Sequence, residues 1–373
     1  MNTTQNLSRR KLLKSALAGS IMLPFTEALA NKSSHTLLLI ELQGGNDGLN
    51  TVIPYTEPLY YELRPNIAIQ QTEQIPISSK FALHNALKPI MPLWQSNQMA
   101  VVLGLGYPHP NRSHFRSIEI WDTASKSDEY LEDGWLKTLL TDTASPISNR
   151  TANGLILGGQ PGPLLGTPNI LEIKNLKQFS SQTSRLNNSI TESTITENHA
   201  LKKLIQTQNV LDRASLKIKE RLKPLKTEKD FGNHPFAKQM AIATQAIQSR
   251  LNIPVIKTSL KSFDTHNNQI NTHKRLLNIL AESIATTQQA LSLTDDWNNV
   301  TIMTYSEFGR RAQENGTKGT DHGTAAPHFI LGGNVQGGIY GKQPSLADLE
   351  NDDLKYTADF STLFDFAKNQ IKS

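Results

Sequence analysis

Six side chains in this sequence have the chemistry to gather a cation: Asp47, Asp264, His266, Asp321, His322 and His328. Carboxylate oxygen together with imidazole nitrogen suits zinc, manganese or iron, whereas an all-oxygen set would suit magnesium or calcium. Asp321 and His322 are adjacent, and neighbours in extended backbone point to opposite sides. One dipeptide could then serve two ions a few ångströms apart, the geometry of two-metal phosphoryl transfer. Ser113 precedes an expected helix, where unpaired backbone N–H groups and the positive dipole end could assist a nucleophile. Each group also has a plainer reading: a lone His as a structural or surface group, Asn46-Asp47-Gly48 as a turn, Ser113 as an N-cap. Recurrence is what favours the metal, because the six fall in three motifs that each follow an apolar run.

Those runs are the elements that must position the site. Val300 to Tyr305 is β-rich and reads as a short buried strand, followed by Ser306, Glu307, Arg310, Arg311 and a Gly/Asn/Thr-rich loop that ends in Asp321-His322-Gly323. His328 to Leu331 is a further apolar stretch that closes on Gly332-Gly333. Thr36 to Leu42 is nearly continuous in apolar residues, as a strand buried on both faces would be, and ends in the Gly44-Gly45-Asn46-Asp47-Gly48 turn. Met99 to Leu103 and Pro254 to Leu260 read as strands, the latter delivering Phe263-Asp264-Thr265-His266. Helices are expected over 83–95 (shortened by Pro89 and Pro92), 117–124, 135–141 and 236–251, and after His266, where Leu276, Leu280 and Ile284 form a core stripe. Asp359 reads as the N-cap of a C-terminal helix. Residues 176–235 are rich in Ser, Thr, Asn, Gln and Lys and read as an inserted helical excursion. Strand, loop and helix recur often enough to predict an α/β fold, a doubly wound, mainly parallel sheet flanked by helices. Such a sheet gathers ligands beyond the carboxyl ends of its strands.

The chain has 373 residues and a formal charge of +5. Residues 1–30 hold Arg9, Arg10, Lys11, Lys14 and Glu27, which leaves 34 cations against 32 anions in the remainder. That balance gives no support for nucleic acid as a partner. With zero cysteines, thiolate ligands, a cysteine nucleophile and disulfides are excluded. Ser8-Arg9-Arg10-Lys11-Leu12-Leu13-Lys14, a short apolar segment and Ala28-Leu29-Ala30 read as a twin-arginine signal peptide over 1–30, with the mature domain over 31–373. The apolar segment is too short for a stable membrane span. The twin-arginine export machinery is thus an expected partner and the periplasm the expected location.

The leader, GGNDGLNTVIPY (44–55), NRSHFRSIEIWDTA (111–124), SFDTHNNQ (262–269), SEFGRRAQENGTKGTDHG (306–323) and GGNVQGGIYG (332–341) together resemble the exported family catalogued as domain of unknown function 1501. That family is similar to the alkaline phosphatase and sulfatase-like superfamily. The resemblance implies an alkaline-phosphatase-like fold, one or two divalent ions (zinc or manganese), and metal ligands at Asp47, Asp264, His266, Asp321, His322 and His328. Ser113 stands where the nucleophile would, and Arg116 or Arg310 could grip nonbridging oxygens. Ser113-His114-Phe115-Arg116 lacks the Pro of the sulfatase signature, which disfavours formylglycine chemistry. The function expected is a metal-dependent hydrolase or transferase acting on a small-molecule or polymer-borne phosphate or sulfate ester. The alternative is a non-catalytic periplasmic binding or assembly protein that retains the fold.

Overall fold

The computed structural model describes residues 35–141, 150–184 and 198–372, so the expected leader and residues 185–197 of the expected insertion lie outside it. One sheet contains β1 (Thr36–Leu42), β2 (Met99–Gly106), β3 (Gly154–Ile156), β4 (Ile170–Glu172), β5 (Val255–Leu260), β6 (Val300–Tyr305), β7 (Ala326–Gly332), β8 (Gly338–Tyr340) and β9 (Ala358–Asp359). Its order is β8-β2-β7-β6-β1-β5-β3-β4, with β9 also paired to β2. The central trio is parallel, Leu39 facing Lys257 of β5 on one side and Met303 of β6 on the other. Only β7 runs against its neighbours, antiparallel to both β2 and β6. Two reversals leave β2 parallel to β6, so β1, β2, β5 and β6 all leave the sheet at one edge. This is the doubly wound, mainly parallel α/β sheet that the sequence predicts.

Why β1 carries apolar residues at nearly every position is plain from its surroundings. Leu38, Ile40 and Leu42 enter one core cluster, and Leu37 and Leu39 enter the other. A strand buried on both faces cannot alternate polar and apolar side chains. The first cluster is covered by helices Pro235–Gln248 and Gln269–Ser292, whose Met240, Leu276, Leu280 and Ile284 are buried. The second is covered by helices His114–Thr123 and Ser361–Lys372 through Ile120, Trp121, Leu363 and Phe364. Asp359 accepts from the Ser361 N–H at 2.9 Å, at the start of the C-terminal helix.

One local expectation differs from the structure. The helix expected over 83–95 is a short strand, Ala82–His84, followed by a 3-10 turn, Asn85–Ile90, and one helical turn, Met91–Gln95. Pro89 and Pro92 each remove a backbone donor that a longer helix would need. The described parts of 176–235 form helices Leu176–Ser184 and His199–Arg221, which lie off the sheet.

Candidate metal centre

The parallel strand exits deliver three segments to one place. The turn after β1 is forced close to the segment after β5: Gly44 has φ +117°, and a Cβ there would come within 2.4 Å of the Asp264 nitrogen. The Gly44 N–H donates to Glu307 Oε1 at 2.8 Å, which ties that turn to the exit of β6. His114 opens the helix after β2 and reaches the same carboxylate.

Three imidazoles meet there, and each has its Nδ1 engaged. His114 Nδ1 lies 2.8 Å from the buried Glu307 carboxylate, His266 Nδ1 lies 3.0 Å from Asp321 Oδ1, and His322 Nδ1 lies 2.8 Å from the Arg112 carbonyl. These partners only accept, so in each neutral ring Nδ1 carries the proton and Nε2 is left with a bare lone pair. The three Nε2 atoms then converge on Asp264. His114 Nε2 lies 3.3 Å from Oδ2, and His266 and His322 Nε2 lie 3.0 and 3.2 Å from Oδ1. His266 and His322 present Nε2 to Nε2 at 3.0 Å. Two bare lone pairs at that separation repel unless a proton or a cation lies between them. Ligands of one tetrahedral zinc, each about 2.0–2.2 Å from the ion, are roughly 3.3–3.6 Å apart. One donor atom from each of His114, Asp264 and His322 lies within 4.8 Å of the others. The donor set of His114, His322 and Asp264, two imidazoles and one carboxylate, therefore fits a divalent ion of the zinc or manganese class, with His266 packed beside it against His322.

The electrostatics agree with the geometry. Burial opposes the Asp264 charge, but the Arg310 hydrogen bond and the surrounding cationic groups overcome it and bring the carboxyl down to about 2. The Glu307 hydrogen bond raises the His114 imidazole, and burial lowers that of His322. Asp321 is lowered first by its Asn315 hydrogen bond and then by His266.

Placement sorts the expected site residues. Asp264, His266 and His322 come together. Asp321 turns to the outer nitrogen of His266, so the Asp321-His322 dipeptide straddles one imidazole rather than two ions. Asp47 is not brought to the cluster: fully buried, it is bound by Arg64 Nη1 at 2.7 and 2.9 Å and by Gln269. His328 is likewise not brought to the cluster. It lies inside antiparallel β7, which carries it away from the site into contact with Trp121, and neither ring nitrogen has a hydrogen-bond partner. Arg310, fully buried, is used up on the carbonyls of Gly44, Gly45, Phe263 and Thr320 and on Asp264 Oδ1 at 2.5 Å, and is not free to grip a substrate oxygen. Arg116 is likewise spent, on the carbonyls of Lys126, Ser127 and Glu129 and the Tyr130 ring. Ser113 is exposed at the N-cap of its helix and makes no capping bond through its side chain.

His114, Glu307 and Arg112 are the site residues that sequence reasoning passed over. The signal for His114 was its place beside Ser113 at the exit of β2, and for Glu307 its place at the exit of β6. Arg112 lines a cleft of about 470 Å³ together with Tyr107, Pro108, Phe308, Thr324 and Tyr356. Phe308 packs on both His114 and His322, at 4.9 and 4.6 Å between ring centres, so the cleft adjoins the cluster.

A family model described as "Protein of unknown function (DUF1501)" matches residues 106–368. The chain belongs to this family. Within the DUF1501 match lie His114, Asp264, His266, Glu307, Asp321 and His322, whereas Asp47 and Arg64 precede it. No curated protein matches the chain. Among solved structures, the DUF1501 chain is similar to alkaline phosphatase from the Antarctic bacterium TAB5, with 10% identity, 91% of this chain and 98% of that one covered, and a TM-score of 0.36. It is similar to the C-terminal periplasmic domain of EcEptC from Escherichia coli in complex with Zn, with 9% identity, 91% and 83% covered, and a TM-score of 0.38. A third is Ps i-CgsB in complex with k-i-k-neocarrahexaose, with 10% identity, 82% and 68% covered, and a TM-score of 0.37. Among the described residues no helix is long and apolar enough to cross a membrane.

Proposed function

We propose that this protein is an exported, metal-dependent hydrolase or transferase acting on a phosphate or sulfate ester. The observation that carries the reading is the convergence of three imidazole Nε2 atoms, all with Nδ1 engaged, on the Asp264 carboxylate. The bound ion would supply a Lewis acid that neutralises charge on the nucleophile and the ester. Ser113, one residue from His114 and with its hydroxyl free of capping duty, would attack phosphorus or sulfur in line. Its hydroxyl gives up its proton as its oxygen forms the new bond, the ester oxygen leaves and takes up a proton as the alcohol, and water or an acceptor hydroxyl then releases the covalent intermediate and returns the serine hydroxyl. Arg112, at the cleft wall and paired with Asp353 at 3.1 Å, takes the oxygen-gripping role expected of Arg116 or Arg310.

The test is metal analysis of the purified protein, followed by turnover of aryl phosphate mono- and diesters and an aryl sulfate. Bound zinc or manganese with turnover of one class is the expected result. Ser113→Ala should then remove activity while leaving bound metal unchanged, and His322→Ala should remove both. Metal without turnover of any class would favour the binding or assembly protein, a reading supported by the structural commitment of Arg116 and Arg310. Export rests on the leader: Arg9→Lys with Arg10→Lys should keep the protein in the cytoplasm, and normal export of that variant would refute the twin-arginine route.

A further inference from the structure

Behind the imidazole cluster lies a second acidic position with a different occupant. Asp47 and Arg64 are both 0% exposed. Arg64 Nη1 is bonded to both Asp47 oxygens and, at 2.9 Å, to Asn50 Oδ1, while Nε and Nη2 each donate at 2.8 Å to the carbonyls of Ala312 and Arg311. Gln269 completes the enclosure. Its Nε2 donates to Asp47 Oδ2 at 2.5 Å, and its Oε1 accepts from Thr265 at 2.9 Å and Thr320 at 2.7 Å. Thr265 sits between Asp264 and His266, and Thr320 directly precedes Asp321, so this enclosure backs onto the residues that form the cluster. On the cluster side, another buried guanidinium, that of Arg310, caps Asp264.

A carboxylate buried at this position needs a positive partner, and a divalent ion or a guanidinium would each provide one. Here all directions of the Asp47 carboxylate that the structure describes are taken by Arg64, Gln269 and the Asn50 N–H. We propose that Arg64 is a built-in cation at the place a second ion would need, so that the centre holds a single divalent ion bound by His114, His322 and Asp264. The inference rests on the metal-centre reading above and sets its stoichiometry. The sequence hint of two ions at the Asp321-His322 dipeptide is answered in the same way, because both side chains are directed at His266.

The test counts ions. The full purified protein, stripped with chelator and reloaded with zinc and separately with manganese, is measured by native mass spectrometry and equilibrium dialysis. One ion per chain is expected. Two ions per chain, with the second lost on Asp47→Asn, would overturn the single-ion proposal alone. No ion at all would overturn the metal-centre reading and this proposal with it. Arg64→Met, which removes the charge, should admit a second, weaker ion and make the melting temperature more dependent on added metal than in the unmodified chain. An Arg64→Met protein that folds and still holds one ion would show that Arg64 is not what excludes the second. The count on the unmodified chain decides the matter even where that variant fails to fold.

Discussion

At the scale of single residues, the centre depends on groups that would never touch the ion. Glu307 is buried, and its carboxylate fixes which nitrogen of His114 faces Asp264. Partners of this kind typically change metal affinity by about 10–100-fold when altered. Glu307→Gln keeps the shape but removes the charge, so metal affinity measured against a competing chelator should fall by about that factor. Unchanged affinity would mean that His114 needs no such support. His328 makes the opposite case. Its imidazole is sealed in the core without a partner, and a buried polar group left unpaired costs roughly 1–3 kcal/mol. His328→Leu should therefore leave bound metal untouched and leave stability equal or higher; loss of metal would return His328 to the centre. From sequence, His328 and His322 looked alike, since both follow or open apolar runs. What separates them is strand direction, which no local pattern of residues records. His114 was hidden for a related reason: beside a candidate nucleophile, it read as loop.

At the scale of elements, the site depends on turns that bring backbones unusually close. Gly44 is one of these: a Cβ there would face the Asp264 nitrogen and the Phe263 carbonyl carbon. Gly44→Ala must push the Phe263–Asp264 segment outward, so the expected result is loss of bound metal. Gly232 is the comparison: it too has a positive φ, +85°, but a Cβ there would meet nothing within 4 Å. Gly232→Ala should cost only about 1 kcal/mol of backbone strain and keep the metal. Equal metal content in the two variants would show that the close approach at Gly44 does not position Asp264. The strands themselves were legible because an α/β sheet buries its central strands on both faces and so writes them as apolar runs. The 83–95 segment was not, because Leu83, Leu87 and Ile90 pack in the core equally well from a strand and a 3-10 turn as from a helix.

At the scale of the whole molecule, buried imidazoles set the response to acid. Burial holds His84 and His273 at about 4 and His328 at about 3, against about 6.5 for an exposed imidazole. Below about 6.5 the unfolded chain binds protons that the folded chain refuses, so stability is complete above that value and declines as the pH falls toward about 4. Asp47 acts lower on the scale. Burial alone would raise it, but the charge and hydrogen bond of Arg64 bring it below its ordinary value, so its contribution persists until the pH falls through that lowered value. The urea midpoint should therefore be lower at about pH 5 than at about pH 7.5, and His328→Leu should narrow that difference. A midpoint indifferent to pH across this range would contradict the buried neutral imidazoles. Legibility at this scale was uneven. The sheet and its shared exit edge could be read from recurring strand-loop-helix runs, whereas the Asp47–Arg64 pair joins residues whose separation carries no motif.

The reversed direction of β7 has a bearing on how this family could diversify. Because β7 returns beside β6, the chain leaves and re-enters the sheet at adjacent positions, and residues 306–325 hang between them as a closed loop. A parallel crossover would have bound the same residues to a helix on one face of the sheet, where any change in length must be absorbed by the core. Gly316, near the tip, has open space where its Cβ would be. Insertions there could lengthen the loop without changing the register of either strand. Descendants of this chain could then lengthen one hairpin while the imidazole cluster and the sheet beneath it were inherited unchanged.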